Sequence, residues 1–175
     1  AFSTGTVCSP SRTAIITGVK TYCTATGNHR SHFPVPAFMK GFPYYLQQAG
    51  YYTTNNAKTD YNIANEADYI KTAWNESSGK AGWWDRKPGQ PFFAVFNFMA
   101  SHQSRTMTFP YSQYEKMVLS HLRKDEIIPD NAFQMPPFYH DSPEMRKQIA
   151  RVYNSLELTD KRIGELLALL RKDHL

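Results

Sequence analysis

One short segment limits the possible folds of this chain more than any other. Residues 91–98 read Pro-Phe-Phe-Ala-Val-Phe-Asn-Phe, a run that is almost entirely apolar and aromatic. The run is far too short to cross a bilayer, and it is typical of a strand that is buried on both faces in a parallel sheet. Because functional residues in open α/β sheets collect at the carboxyl ends of strands, we expect them in the polar stretch Ser101–Thr106 that follows.

Helices are predicted before this strand. Pro10–Gly18 has the composition of a short helix that ends at its glycine, and Phe42–Ala49 that of a second helix followed by a strand at Tyr51–Thr54. The segment Asn62–Gln90 holds the three tryptophans among Gly, Asn and Ser residues, and we expect irregular surface structure there.

The last part of the chain contains the clearest helix. Ser142 is a favourable N-cap, and Pro143 fits the first helical position. An apolar stripe, at steps of three and four or their sum, comprises Met145, Ile149, Val152, Leu156, Ile163, Leu166 and Leu170. We expect this stripe to be the buried face of the helix. Helices separated by a buried strand predict an α/β layered fold.

Composition excludes several classes of protein. The chain has 175 residues, of which 41% are hydrophobic, so it can bury a core of about one domain and does not resemble a disordered chain. Its formal net charge is +5 and its lysines and arginines are scattered, which predicts some attraction to polyanions but no nucleic-acid partner. The two cysteines are too few for a disulfide framework or a cysteine-based zinc site.

The segment Cys8-Ser9-Pro10-Ser11-Arg12 combines a nucleophile with a cation. Cys8 lies just before the first predicted helix, where the helix dipole and free N–H groups favour anions, and Arg12 falls on the same helical face. One interpretation is a buried structural cysteine beside a surface arginine. A tyrosine-phosphatase-type loop is excluded, because it needs five residues between its cysteine and arginine, and the required position is Ala14.

Four motifs follow one another along the chain and give a third interpretation of Cys8. They are Cys8-Ser9-Pro10-Ser11-Arg12 with Ile16-Thr17-Gly18, Gly50-Tyr51-Tyr52-Thr53 with Lys58, Phe92–Met99 with His102, and Tyr153 with Asp160 and Gly164. In this order they resemble the type I, formylglycine-dependent sulfatases of the alkaline phosphatase superfamily. The first is similar to that family's Cys-x-Pro-Ser-Arg signature, and the second to a Gly-Tyr-x-Thr segment with a sulfate-contacting lysine. The last two are similar to a strand that ends in a sulfate-contacting histidine and to the helix before a metal-binding segment.

The resemblance implies an alkaline-phosphatase-like α/β sandwich, with a mainly parallel mixed sheet flanked by helices, that is incomplete in this chain. Residues 1–175 would form part of a sulfatase catalytic domain. The family's N-terminal strand with paired aspartates is expected before residue 1, and its second pair of metal ligands after Leu175. We therefore expect this segment, expressed alone, to be poorly folded and to lack metal-dependent sulfatase activity.

The resemblance also implies a mechanism for cleaving a sulfate ester. A formylglycine-generating maturation enzyme would oxidise Cys8, and the hydrated aldehyde would supply both the nucleophile and a metal-ligand oxygen. The metal is expected to be Ca²⁺, which prefers oxygen ligands. Arg12 would orient the hydrate. Lys58 and His102 would bind sulfate oxygens, with His102 also a candidate acid for the leaving group.

Two further residues are assigned to substrate binding. Asp60 stands where the family usually has a histidine, within the sequence Lys-Thr-Asp-Tyr-Asn that is similar to a branch of the family. His29 lies in the loop Thr21–Pro36 after the signature helix. It either reaches the mouth of the active site or is an ordinary loop residue.

The expected function is that of a sulfuric ester hydrolase acting on a sulfated carbohydrate or an aryl sulfate. Two alternatives stay open, a phosphonate or phosphate monoester hydrolase of the same superfamily and a non-catalytic relative that binds polyanions. By resemblance, such a protein works in the periplasm, the lysosome or the extracellular space. No transmembrane segment is predicted.

Overall fold

A computed structural model of the protein describes residues 5–175 and divides the chain into two compact units. The first unit extends to Asn97, and the second runs from Phe98 to Leu175. Within the described residues, no helix combines the length and the apolar character that a membrane span requires.

Within its described residues, 5–97, the first unit contains a three-stranded parallel sheet and three α-helices. In chain order the elements are α1 (Cys8–Thr17), α2 (Phe42–Gln48), β1 (Tyr52–Asn56), α3 (Glu66–Ala73), β2 (Glu76–Ser77) and β3 (Phe92–Phe96), with 3₁₀ turns at Thr21–Cys23 and Trp83–Asp85. Strand β1 lies in the centre, with β2 paired to one edge and β3 to the other. The predicted α/β fold with a parallel sheet and flanking helices is confirmed.

The apolar segment forms strand β3, but β3 is not the most buried strand. All its residues are only partly buried, whereas Thr53, Thr54 and Asn55 of β1 are fully buried. The prediction that this strand is buried on both faces is therefore wrong. The reason lies in the strand order, because within residues 5–97 β1 has a neighbour on each side and β3 has one. The buried residues of the central strand β1 are polar, so a search for apolar runs did not identify β1 as the centre of the sheet.

The tryptophan-containing segment Asn62–Gln90 belongs to the core rather than to the surface. Trp74 and Trp83 are buried. Trp74 stacks on Phe93 with ring centroids 6.2 Å apart, and Trp83 contacts Phe92 at 5.7 Å. Since successive residues of a strand point to opposite faces, the two tryptophans cover the two faces of β3. The segment also contains α3 and β2, so the expectation of irregular surface structure is wrong.

Helix α1 begins two residues before the predicted start and ends, as predicted, at Gly18. Gly18 has a φ of +69°, which glycine adopts without steric cost, and its N–H donates to the carbonyl of Ala14. The N-cap is Val7, so Ser9 lies buried inside the first turn. The earlier start makes Cys8 the first residue of the helix. Helix α2 and strand β1 are confirmed, with bounds shifted by one or two residues.

The second unit is built around one long helix. Within residues 98–175 its α-helices are α4 (Tyr111–Met117) and α5 (Pro143–Lys172), with a π-helical turn at Ser104–Thr108 and a 3₁₀ turn at Leu119–His121. The predicted cap of α5 is confirmed, because Ser142 Oγ accepts the Met145 N–H at 3.2 Å. The core of this unit comprises Ala100, Tyr114, Val118, Leu122 and Leu158.

The buried face of α5 is not the predicted apolar stripe. The buried residues are Ala150, Arg151, Asn154, Ser155 and Leu158. By contrast, Leu156 and Ile163 are 50% and 43% exposed, and the rest of the stripe is only half-buried. Asn154 exchanges hydrogen bonds with the main chain of Ile128. The stripe prediction is wrong because side chains that bind main-chain groups occupy the buried face, and apolar periodicity does not detect them.

Candidate active site

Cys8 lies at the N-terminus of α1. It is the first helical residue, it is half-buried, and its sulfur is a reduced thiol. The first N–H groups of a helix have no partners within the helix, and the helix dipole is positive at this end. An anion at this position is therefore stabilised by its surroundings.

Arg12 lies one turn further along α1, and its guanidinium binds the main chain that follows β1. It donates to the carbonyl oxygens of Lys58 and Thr59, the latter at 2.6 Å, and to Asn97 Oδ1 at 2.8 Å. Asn97 directly follows β3. Arg12 therefore ties the first half of α1 to the carboxyl ends of β1 and β3, the edge of a parallel sheet where functional groups collect.

Two asparagines extend this network around the main chain of Lys58. Asn97 Nδ2 donates to Asn55 Oδ1 at 3.0 Å. Asn55 is fully buried, and its own Nδ2 donates to the carbonyl of Lys58 at 3.2 Å and to Ser77 Oγ at 3.0 Å. The carbonyl of Lys58 thus accepts hydrogen bonds from both Asn55 and Arg12.

The buried amide of Asn62 organises the loop between α1 and α2. Its Nδ2 donates to the carbonyls of Thr26 and Asn28, at 2.8 and 2.5 Å, and its Oδ1 accepts the His32 N–H at 2.9 Å. Its main-chain N–H donates to Thr13 Oγ1 on α1 at 2.6 Å. One side chain therefore supports this loop at three main-chain groups. Arg12, Asn55, Asn62 and Asn97 together form the polar floor of the site.

Arg30, Lys58 and Asp60 form the charged rim of the site. Asp60 Oδ1 lies 3.2 Å from Arg30 Nε, and Asp60 Oδ2 lies 3.6 Å from Lys58 Nζ. The side chains of Lys58 and Asp60 are 22% and 16% exposed, whereas that of Arg30 is 61% exposed. Arg30 and Asp60 have φ values of +52° and +53°. Non-glycine residues rarely adopt this left-handed backbone, and where they do, functional sites are enriched.

The rim cations control the ionisation of Asp60. Burial alone raises its pKa, but the hydrogen bond from Arg30 and the charges of Arg30, Lys58 and His29 outweigh burial and hold the pKa below its usual value. The hydrogen bond and charge of Asp60 raise the pKa of Arg30, with a smaller contribution from Cys8. Asp60 is therefore ionised at neutral pH. Two cations that face one carboxylate leave the rim positive.

His29 is connected to α1 through Ser9. Ser9 Oγ lies 3.1 Å from His29 Nδ1 and accepts the N–H of Arg30 at 2.9 Å. Ser9 is buried and His29 is exposed. The loop that carries His29 and Arg30 is thus attached to the residue next to Cys8.

His102 belongs to the second unit. Its Nδ1 lies 2.9 Å from Ser104 Oγ and accepts the Ser104 N–H at 3.3 Å, which favours the tautomer with the proton on Nε2. The following π-helical turn is held from α5, because the buried Arg151 donates to the carbonyls of Arg105 and Phe109, both at 2.9 Å. Arg151 therefore positions the segment that follows His102.

The residues described here do not build a metal site on their own. Among residues 5–175, no group of three or more His, Cys, Asp or Glu side chains is placed to hold a metal ion. Cys8 is the single ligand that the sequence assigns. Arg12 is a residue of the same helix, and the main-chain N–H of Arg30 donates to Ser9 Oγ on that helix. A divalent cation at Cys8 needs further oxygen ligands from outside this set.

The residues assigned from the sequence that lie together in the first unit are Cys8, Arg12, His29, Lys58 and Asp60. Sequence reasoning assigned no role to four contributors to the site, which are Asn55, Asn62, Asn97 and Arg30. Asn55 directly follows the predicted strand Tyr51–Thr54. Asn97 is the one polar residue in the apolar run, and Asn62 closes the Lys-Thr-Asp-Tyr-Asn segment, so both had a visible signal. For Arg30, the sequence offered no signal beyond its position next to His29.

Comparison with known proteins gives a family and a relative. The chain matches the protein family described as Sulfatase over residues 1–175. It is also 31% identical, over 213 aligned residues, to an ulvan-active sulfatase from Formosa agariphila. That match covers 99% of this chain and 34% of the relative, so the chain spans about a third of the relative's length.

Proposed function

The chain belongs to the sulfatase family, and on that premise we propose that the full-length protein hydrolyses a sulfate ester of a sulfated carbohydrate. The similarity to an ulvan-active sulfatase supports this class of substrate. The positive rim supports it as well, because a sulfated glycan is a polyanion.

The observation that carries this proposal is the arrangement of one nucleophile and several cations in the first unit. Cys8 stands at the positive end of α1, and Arg12 ties that helix to the loop of Lys58. In the cleavage of a sulfate ester, negative charge must be stabilised on the sulfuryl oxygens and on the leaving oxygen. Helix N–H groups and fixed cations provide that stabilisation without reorganising during the reaction.

In the proposed reaction, Cys8 acts after a maturation enzyme has converted it to formylglycine. One hydroxyl of the hydrated aldehyde loses its proton and attacks the sulfur, the bond between sulfur and the sugar oxygen breaks, and the sugar oxygen takes a proton as it leaves. The second hydroxyl of the hydrate then loses its proton as the bond between carbon and the sulfate oxygen breaks, so that sulfate is released, the aldehyde re-forms, and water hydrates it again. Lys58 binds the sulfate oxygens, and Arg12 fixes the position of Lys58 relative to α1. His102 is proposed as the proton donor from the resemblance alone, and the proton would leave from Nε2 of its protonated form, because Nδ1 is bound to Ser104.

The role of Asp60 differs from that of the histidine usually found at its position. An ionised carboxylate has no proton to donate, and the low pKa keeps Asp60 ionised. We assign it instead to positioning Lys58, whose Nζ lies 3.6 Å from Asp60 Oδ2. His29 is assigned to the mouth of the site on the basis of its connection to Ser9.

Calcium and a location outside the cytoplasm are proposed from the family resemblance. Cys8 is the one ligand assigned from the sequence, and among residues 5–175 no group of three or more His, Cys, Asp or Glu side chains could hold a metal ion, so the other ligands would come from elsewhere in the full-length protein. Loss of activity on chelation, reversed by added Ca²⁺, supports the metal, and activity that survives chelation contradicts it. Cell fractionation with an antibody against the protein tests the location.

The function is tested with the full-length protein co-expressed with a formylglycine-generating enzyme. Mass spectrometry of the Cys8 peptide should show formylglycine, and turnover of aryl sulfates and sulfated oligosaccharides should exceed that of phosphate or phosphonate esters. Cys8→Ala should abolish turnover, while Cys23→Ala, at an exposed thiol, serves as the matched control. An unconverted thiol with no turnover contradicts the enzyme proposal. Preferential phosphoester turnover supports the alternative hydrolase.

A further inference from the structure

Arg30 is an exposed arginine on an unusually well-fixed backbone. Its N–H donates to the buried Ser9 Oγ at 2.9 Å, and its φ is +52°. Asn62 holds the same loop on both sides of Arg30, through the carbonyl of Asn28 and the N–H of His32. The backbone of an ordinary surface arginine needs no such support. The backbone at Arg30 is therefore fixed more firmly than its exposed position alone would require.

The guanidinium of Arg30 is only partly used within the protein. Its Nε donates to Asp60 Oδ1 at 3.2 Å. Among residues 5–175, its two terminal NH₂ groups donate no hydrogen bond within the protein, and its side chain is 61% exposed. The paired NH₂ groups at the end of a guanidinium match the two oxygens of a carboxylate or of a sulfate. The guanidinium of Arg30 thus presents two oriented NH₂ groups to an anion from solution.

Arg30 and Lys58 are held apart by the carboxylate that they share. Each cation contacts a different oxygen of Asp60, so their separation includes the width of that group. Lys58 is also the more buried of the two, and its main chain is tied to α1 through Arg12. The two cations are therefore arranged for two anionic groups at neighbouring positions rather than for one.

Because Asp60 is shared, its negative charge does not cancel the attraction for a second anion. Two cations face it, so the rim keeps a positive charge after the pairing is counted. The main-chain N–H of Arg30 donates to Ser9 Oγ at 2.9 Å, and Ser9 is the residue next to the proposed nucleophile Cys8. A ligand bound at Cys8 therefore has a second cation close by.

We propose that Arg30 forms a subsite for a second oxyanion of the substrate, a carboxylate or a second sulfate on the sugar that bears the scissile ester or on its neighbour. This inference rests on the proposed function, since it presumes a sulfated glycan at Lys58 and Cys8. Asp60 is the positioning residue of the subsite, because it fixes the guanidinium through Nε and leaves the NH₂ pair available. The subsite selects substrates that carry an additional negative charge.

The test compares four substrates with the mature full-length protein. They are 4-nitrophenyl sulfate, a monosulfated disaccharide with a neutral neighbouring sugar, the same disaccharide with a uronate neighbour, and the same disaccharide with a second sulfate. In Arg30→Ala, the preference for the doubly charged disaccharides over the neutral-neighbour disaccharide, as a ratio of kcat/KM, should fall about tenfold or more. Arg30→Lys should restore part of it, because the charge returns without the fork. Whichever disaccharide loses its advantage in Arg30→Ala, the one with the uronate or the one with the second sulfate, shows whether Arg30 binds a carboxylate or a sulfate.

The matched control is Arg123→Ala. Arg123 is 68% exposed and paired with Asp125, so it resembles Arg30 in exposure and pairing but lies outside the proposed site. Its replacement should leave the preference unchanged. A preference that survives Arg30→Ala, or that Arg123→Ala lowers equally, overturns the inference.

A binding measurement separates this inference from the proposed function. In full-length Cys8→Ala protein, which cannot turn over substrate by the proposed route, calorimetry gives the Kd of each disaccharide. Arg30→Ala in that background should weaken binding of a doubly charged disaccharide about tenfold more than that of the neutral-neighbour disaccharide. Equal weakening, or none, overturns the subsite even if sulfate esters are hydrolysed. If the protein with Cys8 intact shows no turnover, while binding in the Cys8→Ala background still depends on Arg30, the proposed function is rejected and the oxyanion site remains.

Discussion

The polar floor and the charged rim use similar polar groups in opposite environments. In the floor, Asn55 and Asn62 are fully buried and bind main-chain groups of loops. In the rim, Arg30 is largely exposed and meets Lys58 only through one carboxylate. A buried group that loses its partner cannot turn to water, whereas an exposed ion pair is screened by solvent and salt. The floor therefore gives the site its shape, and under our proposal the rim sets its preference among anions.

The largest expected effect comes from removing the Asn62 amide. Asn62→Ala leaves the carbonyls of Thr26 and Asn28 and the N–H of His32 without their buried partner. Because each such group costs about 1–3 kcal/mol, the free energy of unfolding should fall by about 3 kcal/mol or more. Chemical denaturation of the full-length protein measures the change.

The matched control for that prediction is Asn28→Ala. Asn28 is exposed, and it contributes its main-chain carbonyl to the Asn62 network, which alanine retains. Its replacement should change stability by less than about 0.5 kcal/mol. If the two variants were equally stable, the distinction between a structural floor and a selective rim would be lost.

A smaller effect on stability, but a clear one on rate, is expected for Arg12→Lys. Lysine keeps the charge but has no planar fork with which to bind Lys58 O, Thr59 O and Asn97 Oδ1 together. We expect kcat/KM to fall about a hundredfold, since Lys58 loses its fixed position relative to α1. Steady-state kinetics measures this, with Arg86→Lys as the control. An unchanged kcat/KM would show that charge, rather than geometry, is the contribution of Arg12.

A pH-dependent effect of less than about 1 kcal/mol is expected from Asp60→Asn. Arg30, Lys58 and His29 hold the pKa of Asp60 below its usual value, so its ionised form stabilises the folded state. That contribution is fully present above the pKa of an unfolded aspartate, about 4, and is lost as the pH falls through the lower folded-state pKa. The stability difference between wild type and variant should thus be constant near neutrality and shrink below about pH 4. A difference that grows on acidification contradicts the assignment.

The smallest effect is expected at an exposed ion pair outside the site. Arg123 pairs with Asp125 and Glu126, and its exposure is close to that of Arg30. Arg123→Ala should leave the unfolding midpoint unchanged at moderate salt, because solvent screens this pair. A midpoint shift as large as that of Asn62→Ala would show that exposure does not decide whether a contact contributes to stability, contrary to the distinction between buried hydrogen bonds and exposed ion pairs.

The same contrast explains which parts of the molecule could be predicted from the sequence. Cys8, Arg12 and Lys58 could be found because they stand in short local motifs that resemble those of a known family. The role of Asn62 could not, because it depends on a loop more than thirty residues away in the chain. Secondary structure follows the same division. The turn chemistry of Gly18 and Ser142 is local and was predicted, whereas burial of β1 and of one face of α5 depends on neighbours that are distant in sequence.

The support that one interior amide gives to the main chain of the loop between α1 and α2 has a consequence for changing this protein. Asn62 binds main-chain groups of that loop, which are the same whatever side chains the loop carries. The outward-pointing positions can therefore be re-sequenced without altering the scaffold, much as an antibody framework tolerates new binding loops. Under the proposed function, exchanging the side chains at positions 28–30 while keeping Ser9 and Asn62 should therefore change the glycan preference and leave the fold of the loop intact.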